Sequence, residues 1–243
     1  MTVSALRFDH LVKRYGNKDV LNGISLDVLQ GESFALVGMN GAGKTTLFKC
    51  LLDFHLPDSG SIAIAGTDHR QSGARAPLAY LPERFMPPYF MQGQEFLKYM
   101  LSLQGLAYDR AAAVAMLASL DLDAQALDKL VRTYSKGMSQ KLGLAACLLA
   151  HKAVYVLDEP MSGLDPKARA LLKVQLSALR ARGSTVFFSA HALADVEELC
   201  DRMAILHGGQ LRFVGPPAAC RAQFASATLE QAYMACIADP APA

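Results

Sequence analysis

Residues 38–46 restrict the fold of this chain more than any other stretch, because they read Gly-Met-Asn-Gly-Ala-Gly-Lys-Thr-Thr. Gly, four residues, Gly, Lys and then Thr is the pattern of a phosphate-binding loop. Glycine has no Cβ, so backbone N–H groups can curl around phosphate oxygens, while the lysine brings a charge to the β- and γ-phosphates. The pattern predicts nucleotide contacts from Gly38, Met39, Asn40, Gly41, Ala42, Gly43, Lys44, Thr45 and Thr46.

The residues on either side of this loop fit the order of strand, loop and helix that the pattern requires. The apolar run 33–37 is typical of a buried parallel strand. The stretch 46–52 is mainly apolar, contains no Pro or Gly and is typical of a helix. A helix that begins near Lys44 would direct its positive N-terminus at bound phosphates. The alternative is that residues 38–46 are a Gly-rich turn that matches the phosphate-loop pattern by chance.

Composition limits the class of protein. The 243 residues suit one large domain or one domain with an insertion, and 52% hydrophobic residues allow a sizeable core. A net charge of +2 does not call for nucleic acid as a partner. The five cysteines lack metal-ligand spacing, which indicates reduced thiols in a cytosolic protein. We expect no signal peptide at residues 1–9, and the apolar run 142–150 is far shorter than the ~20 residues that span a bilayer.

The periodicity along the chain predicts an α/β fold. Residues 3–31 read as an antiparallel β edge layer. Residues 94–150 carry only helical patterns, so we expect an inserted helical subdomain, with one of its helices at 141–149. We predict a single domain over 1–243, with its core at 1–90 and 151–220, its helical subdomain at 91–150 and a short helical tail at 221–243 that holds one helix.

Two adjacent carboxylates follow a predicted central strand, since the run 154–157 ends in Asp158 and Glu159. Open α/β sheets bind ligands at the carboxyl ends of their strands. One carboxylate can hold Mg²⁺ through water while the other orients a nucleophile. His191 lies two residues past the predicted strand 185–189, at the same edge. A lone histidine is usually structural, but at this place it can bind a γ-phosphate or the attacking water.

Three further features are weaker on their own. Tyr15 can stack on an adenine ring or be a half-buried strand residue. Ser135 and Gly137 precede or open a helix, whose N-terminus is an anion site. The loop 84–91 is unusually apolar; it is either a docking surface for a partner or a loop folded back on its own core, and both interpretations stay open.

Taken together, these motifs resemble the nucleotide-binding subunit of ATP-binding cassette transporters. The resemblance covers roughly residues 4–215 and keeps the order of the family's motifs. It comprises the aromatic stacker Tyr15, the phosphate loop 38–45, Glu83 at the Gln-loop position, the signature 135–138, Asp158 with Glu159, the loop 162–165, and the switch histidine His191.

The resemblance implies a P-loop NTPase core of the RecA type and a Mg²⁺-dependent ATPase that works as a head-to-tail pair of two copies. Lys44, Glu159 and His191 would be the catalytic residues, and Thr45, Asp158 and Glu83 the Mg²⁺ ligands. Ser135 and Gly137 would contact the γ-phosphate held by the other copy. Hydrolysis would drive an integral membrane permease, which places the chain at the cytoplasmic face of the membrane with no nucleic acid as partner.

Two departures from the family pattern bear on these expectations. Lys136 replaces a glycine of the signature, and Glu83 replaces a glutamine, which leaves its role as a Mg²⁺ ligand open. Both variants resemble a branch that pairs with separately encoded, export-type permeases. A soluble cassette ATPase acting on ribosomes or DNA is the alternative function, and a module that holds ATP without hydrolysis is a third. The transported cargo is not encoded in these motifs.

Overall fold

The computed structural model describes residues 3–238 and arranges them around two β-sheets. The strands in chain order are β1 (Ser4–Tyr15), β2 (Lys18–Leu29), β3 (Ser33–Val37), β4 (Ser59–Ile64), β5 (Thr67–Asp68), β6 (Leu78–Leu81), β7 (Val154–Leu157), β8 (Thr185–Ala190), β9 (Arg202–His207) and β10 (Gln210–Gly215). The helices are α1 (Lys44–Leu51), α2 (Gly93–Ser102), α3 (Arg110–Ser119), α4 (Lys136–Leu149), α5 (Pro166–Ala181), α6 (Leu193–Leu199), α7 (Pro217–Gln223) and α8 (Leu229–Ala238). Two short 3₁₀ helices, Ala124–Asp128 and Val131–Thr133, precede α4.

The larger sheet places the functional loops. Its strand order is β10-β9-β3-β8-β7-β6, and all neighbours are parallel except the hairpin of β9 and β10. Parallel strands present their carboxyl ends at one edge of a sheet. The loops that follow β3, β7 and β8 therefore meet at this edge. The smaller sheet, in the order β2-β1-β4-β5, is antiparallel throughout.

The core lies on both faces of the larger sheet. Along β3, Phe34 and Leu36 pack toward the smaller sheet and α1, whereas Ala35 and Val37 pack toward the helical side. Because both faces are covered, these strands consist of continuous apolar runs and do not alternate with polar residues. The predicted α/β class, with an antiparallel edge layer and an inserted block of helices between β6 and β7, is confirmed.

Helix α4 begins at Lys136, earlier than the predicted start at residue 141. The reason is an N-cap: the Ser135 hydroxyl accepts a hydrogen bond from the Met138 N–H at 3.2 Å. A serine cap stabilises the first turn by about 1 kcal/mol. This is comparable to the helix-propensity cost of a glycine such as Gly137 in the first turn.

The C-terminal part holds two helices. The helix predicted in the tail, at about 228–237, is present as α8, whereas α7 was not predicted. Helix α7 has Pro217 in its first turn, where the missing N–H costs nothing. It also crosses the expected boundary between residues 220 and 221. The division of the chain into core, helical subdomain and tail stays a prediction, and residues 239–243 of that tail lie outside the described residues.

Candidate nucleotide-binding site

The phosphate loop joins β3 to α1, and two of its glycines are required by space. A Cβ on Gly38 would lie 2.5 Å from the backbone oxygen of Leu206. A Cβ on Gly43 would lie 2.8 Å from the backbone oxygen of Val20, and this glycine has a φ of +113°. Gly43 caps α1 without any side-chain hydrogen bond, so the first N–H groups of the helix are not capped by a side chain. The loop thus supplies an anion-binding helix N-terminus.

Lys44 is buried beneath this loop, with 6% of its surface exposed. Its ammonium donates hydrogen bonds to the backbone oxygens of Gly38, at 2.7 Å, and Met39, at 3.3 Å. The nearest carboxylate oxygen, Oε1 of Glu159, is 3.6 Å away. The charge is therefore held at the phosphate loop by groups that a phosphate can replace.

Asp158 follows β7 and is buried, and two hydroxyls fix its carboxylate. Thr45 Oγ1 donates to Oδ2 at 2.8 Å, and Ser189 Oγ donates to Oδ1 at 2.5 Å. Burial raises the pKa of Asp158, and the two hydroxyl hydrogen bonds oppose that rise by favouring the charged form. Ser189 was not among the predicted site residues. Its signal in the sequence was a hydroxyl in an otherwise apolar buried strand, where a polar group needs a partner.

Glu159 faces both the lysine and the histidine. Its Oε2 is 3.3 Å from Nδ1 of His191, and its backbone N–H donates to Ser189 Oγ at 2.8 Å. The backbone of Glu159 is left-handed, with a φ of +48°. Non-glycine residues in that region carry strain and are frequent at functional sites. His191 is 62% exposed, so it can reach a ligand above the edge of the sheet.

A cavity of about 310 Å³ opens over the phosphate loop. It is lined by the predicted residues Met39, Asn40, Gly41, Gly43, Lys44, Thr45, Thr46, Glu83 and Glu159, and by Val20, which was not predicted. Val20 comes from β2, and nothing in its local sequence indicates a ligand contact. The cavity brings the phosphate loop, the Gln-loop position and the predicted catalytic carboxylate together.

Seven predicted residues do not line this cavity. Gly38 and Ala42 belong to the phosphate loop, and Asp158 and His191 contact the lining residues Thr45 and Glu159. The other three are Tyr15, Ser135 and Gly137. Tyr15 is 43% exposed and stacks edge-on against His55, with ring centroids 5.7 Å apart. Ser135 caps α4, and a Cβ on Gly137 would lie 3.1 Å from the backbone oxygen of Gly163. Within one copy of the chain, Ser135 and Gly137 therefore do not line the cavity over the phosphate loop.

The oxygen donors at the site fit a magnesium ion that is shared with a ligand. The Thr45 hydroxyl and the Asp158 carboxylate are 2.8 Å apart beside the phosphate loop. Magnesium takes oxygen ligands, commonly one or two from protein, with water and phosphate completing its shell. Among residues 3–238, no group of three or more His, Cys, Asp or Glu side chains could hold a metal by itself. A nucleotide would have to supply part of the shell.

None of the described helices combines the length and apolar character needed to cross a bilayer.

Comparison with known proteins gives the same family throughout. The sequence profile of the family described as ABC transporter matches residues 21–162. An uncharacterised ABC transporter ATP-binding protein of Synechocystis is 41% identical over 194 residues, which are 79% of this chain and 55% of that protein. A Nod factor export ATP-binding protein I of Burkholderia orbicola is 37% identical over 89% of this chain and 72% of its own length.

A solved structure described as the ATP binding subunit of an ABC transporter superposes with a TM-score of 0.89. It is 30% identical, and the match covers 96% of this chain and 99% of the other. The predicted P-loop NTPase fold is thereby confirmed. The chain spans only a little over half the length of the Synechocystis relative, at 55%.

Proposed function

Because this chain belongs to the ABC transporter family, we propose that it binds ATP with Mg²⁺ and hydrolyses ATP to drive a separate membrane permease. One observation carries the proposal. Lys44, the Thr45–Asp158 pair, Glu159 and His191 follow three strands whose ends share one edge of the larger sheet, and they contact one another beside the cavity over the phosphate loop. Phosphoryl transfer needs this set, which positions the phosphates, neutralises their charge and orients a water.

The phosphate loop and Lys44 bind the triphosphate. The lysine exchanges its hydrogen bonds to the backbone oxygens of Gly38 and Met39 for phosphate oxygens. Thr45 and Asp158 hold Mg²⁺, which neutralises charge on the β- and γ-oxygens when bound. Glu83 lines the cavity and is exposed, so its carboxylate is available as a further ligand, directly or through water.

Glu159 is the general base, because its carboxylate accepts a proton from the attacking water. Its side chain is 12% exposed and lies between Lys44 and His191, so both neighbours restrict its orientation. Nδ1 of His191 faces Oε2 of Glu159 at 3.3 Å, which leaves its Nε2 for the γ-phosphate. Lys44 stabilises the charge that develops on the transferred phosphoryl group.

Two copies pair head to tail, and each completes the site of the other. The position of Ser135 and Gly137 outside the cavity supports this arrangement, since both lie at the N-terminus of α4 and one copy alone gives them no nucleotide to contact. The stem of Lys136 covers Gly163, with its carbons 3.2 to 3.5 Å from an ideal Cβ there. The lysine of this signature therefore packs on the loop 162–165. Tyr15 stacks on the adenine ring.

The permease binds the exposed part of the loop 84–91. Phe85 is turned inward and packs edge-on against Phe96 at 5.6 Å, whereas Met86 is 84% exposed and Tyr89 and Phe90 are also exposed. Phe85 therefore fits the interpretation of a loop folded on its own core, and the exposed residues support the proposed docking surface. The chain lies at the cytoplasmic face of the membrane through this contact. Export is the proposed direction, supported by the name of the Burkholderia relative.

Two measurements test the proposal. Purified chain should release phosphate from ATP in Mg²⁺ and stop in EDTA. Tagged chain, extracted from native membranes in mild detergent, should bring down a stoichiometric membrane protein. Absence of turnover with and without that membrane protein would contradict the ATPase. Recovery with ribosomes or DNA-repair factors would favour the soluble alternative.

A further inference from the structure

Ser189 is fully buried at the carboxyl end of β8, and its hydroxyl serves both carboxylates of the site. It donates its one hydrogen to Asp158 Oδ1 at 2.5 Å. A lone pair of the same oxygen accepts the backbone N–H of Glu159 at 2.8 Å. A hydroxyl has one donor and two acceptor positions, so both bonds form at once.

The first bond fixes the plane of the Asp158 carboxylate. Thr45 Oγ1 donates to its other oxygen, Oδ2, at 2.8 Å. The carboxylate is thus held from β8 on one side and from α1 on the other. Its side chain cannot turn without breaking one of these bonds inside the core. The oxygen beside Thr45 consequently stays where an ion bound by both residues would need it.

The second bond fixes the backbone where the chain turns from β7 into the loop 159–165. Glu159 has a φ of +48°, which a non-glycine residue keeps only when its surroundings enforce it. A buried N–H without a partner would cost about 1–3 kcal/mol. Ser189 supplies that partner, and so holds the backbone that carries the Glu159 side chain between Lys44 and His191.

We propose that Ser189 is a positioning residue for the reaction, which acts by orienting Asp158 toward Mg²⁺ and Glu159 toward the attacking water. The inference rests on the proposed function. Ser189 is fully buried and its hydroxyl bonds to Asp158 and to the backbone of Glu159, so it acts through these two neighbours.

The same strand offers a matched control. Thr185 begins β8, is buried, and its hydroxyl accepts the backbone N–H of Gly31 at 2.9 Å. Thr185→Val removes a buried hydroxyl bond from this strand at the end away from the site. The pair Ser189→Thr and Ser189→Val adds the same bulk and the same β-branch at position 189, and differs only in the hydroxyl.

The test uses the full chain and combines steady-state ATP hydrolysis with a fluorescent ATP analogue titrated with Mg²⁺, alongside thermal melts. Loss of a group that orients a metal ligand typically costs 10- to 100-fold in metal affinity or activity. We expect Ser189→Ala to lower kcat by about 10- to 100-fold and to shift the Mg²⁺ midpoint upward by about tenfold. KM for ATP and binding without Mg²⁺ should change little, because the phosphate loop is untouched. Ser189→Thr should restore turnover and the Mg²⁺ midpoint; Ser189→Val should not.

Three results would overturn the assignment of Ser189. The first is a wild-type kcat and Mg²⁺ midpoint in Ser189→Ala. The second is the same kcat and Mg²⁺ midpoint in Ser189→Thr and Ser189→Val at equal melting temperatures. The third is a loss of kcat in Thr185→Val as large as that in Ser189→Ala. If Ser189→Ala unfolds, the comparison of Ser189→Thr with Ser189→Val still decides whether the hydroxyl is needed. Wild-type chain without turnover would contradict the proposed ATPase instead, while the Mg²⁺ titration would still decide the role of Ser189.

Discussion

Replacing Gly43 by alanine tests whether the phosphate loop is held by its packing against β2. The residue has φ +113° and ψ 0°, a conformation that only glycine adopts without strain. An added Cβ would lie 2.8 Å from the backbone oxygen of Val20 and 3.0 Å from Cδ2 of Leu21. Because the closest of these atoms belongs to the backbone of a paired strand, it cannot move aside without disturbing the smaller sheet.

The magnitude follows from three contributions to the free energy of unfolding. Backbone strain of this kind costs about 1–3 kcal/mol, and overpacking costs about 1–3 kcal/mol. Alanine also lowers the conformational entropy of the unfolded chain, which stabilises the native state by about 0.4–1 kcal/mol. We expect Gly43→Ala to destabilise the chain by about 1–5.6 kcal/mol. Gly41 is the control, since it has a φ of +81° but no atom within 4 Å of an ideal Cβ. Gly41→Ala should cost about 1 kcal/mol, from left-handed strain less the same entropic return.

Urea unfolding of the nucleotide-free chain, followed by circular dichroism and by tyrosine fluorescence, measures both variants against the wild type. Nucleotide must be absent, because a ligand bound to the native state would add its own stabilisation. Equal destabilisation by the two substitutions would refute the reasoning, since it would leave only backbone conformation and no role for the contact with Val20.

Three other predictions follow from the site and the core. Lys44→Ala should abolish binding of a fluorescent ATP analogue, with Lys49→Ala on the same helix as control; retained affinity would mean that the loop does not bind phosphate. Glu159→Gln should bind ATP, stop turnover and accumulate a dimer in size-exclusion chromatography, and normal hydrolysis would exclude Glu159 as general base. Burial raises the pKa of Cys50 to about 11 and that of Cys147 to about 12, whereas unfolded thiols titrate near 8.5. Their contribution to stability is complete below that pH and is lost as the pH rises toward 11, because only the unfolded chain releases these protons. Cys147→Ala should flatten this decline in urea titrations, and an unchanged slope would contradict the assignment.

The sequence was informative wherever a local pattern had one physical solution. The run 33–37 and the glycines at 38, 41 and 43 predicted a buried strand and a loop that leads into a helix, and the structure places them so. Asp158 and Glu159 were predicted at the ligand edge because a continuous apolar run preceded them. They lie close to Lys44 and Thr45 because the parallel sheet brings the carboxyl ends of β3 and β7 to the same edge.

What the sequence did not predict depended on pairing between distant segments. Ser189 meets Asp158 only because β7 and β8 are neighbours in one register, and strand order cannot be read from apolar runs. Val20 reaches the cavity because β2 passes beneath the phosphate loop. The start of α4 lies five residues before the predicted one for a different reason, since the cap at Ser135 offsets the low helix propensity of Gly137.

The central position of β3 has a consequence for biosynthesis. Its residue Phe34 pairs with Phe187 and Arg202, both more than 150 residues further along the chain. Ribosomes add about 5–20 residues per second, so the strand waits about 8 to 30 s for the neighbours on either side. During that interval β3 is an apolar segment whose two edges are unpaired. Unpaired strand edges favour hydrogen bonding to strands of other chains. The nascent chain is therefore a natural client for ribosome-associated chaperones. Bound nucleotide can stabilise the fold only after β9, the last of these three strands, has emerged.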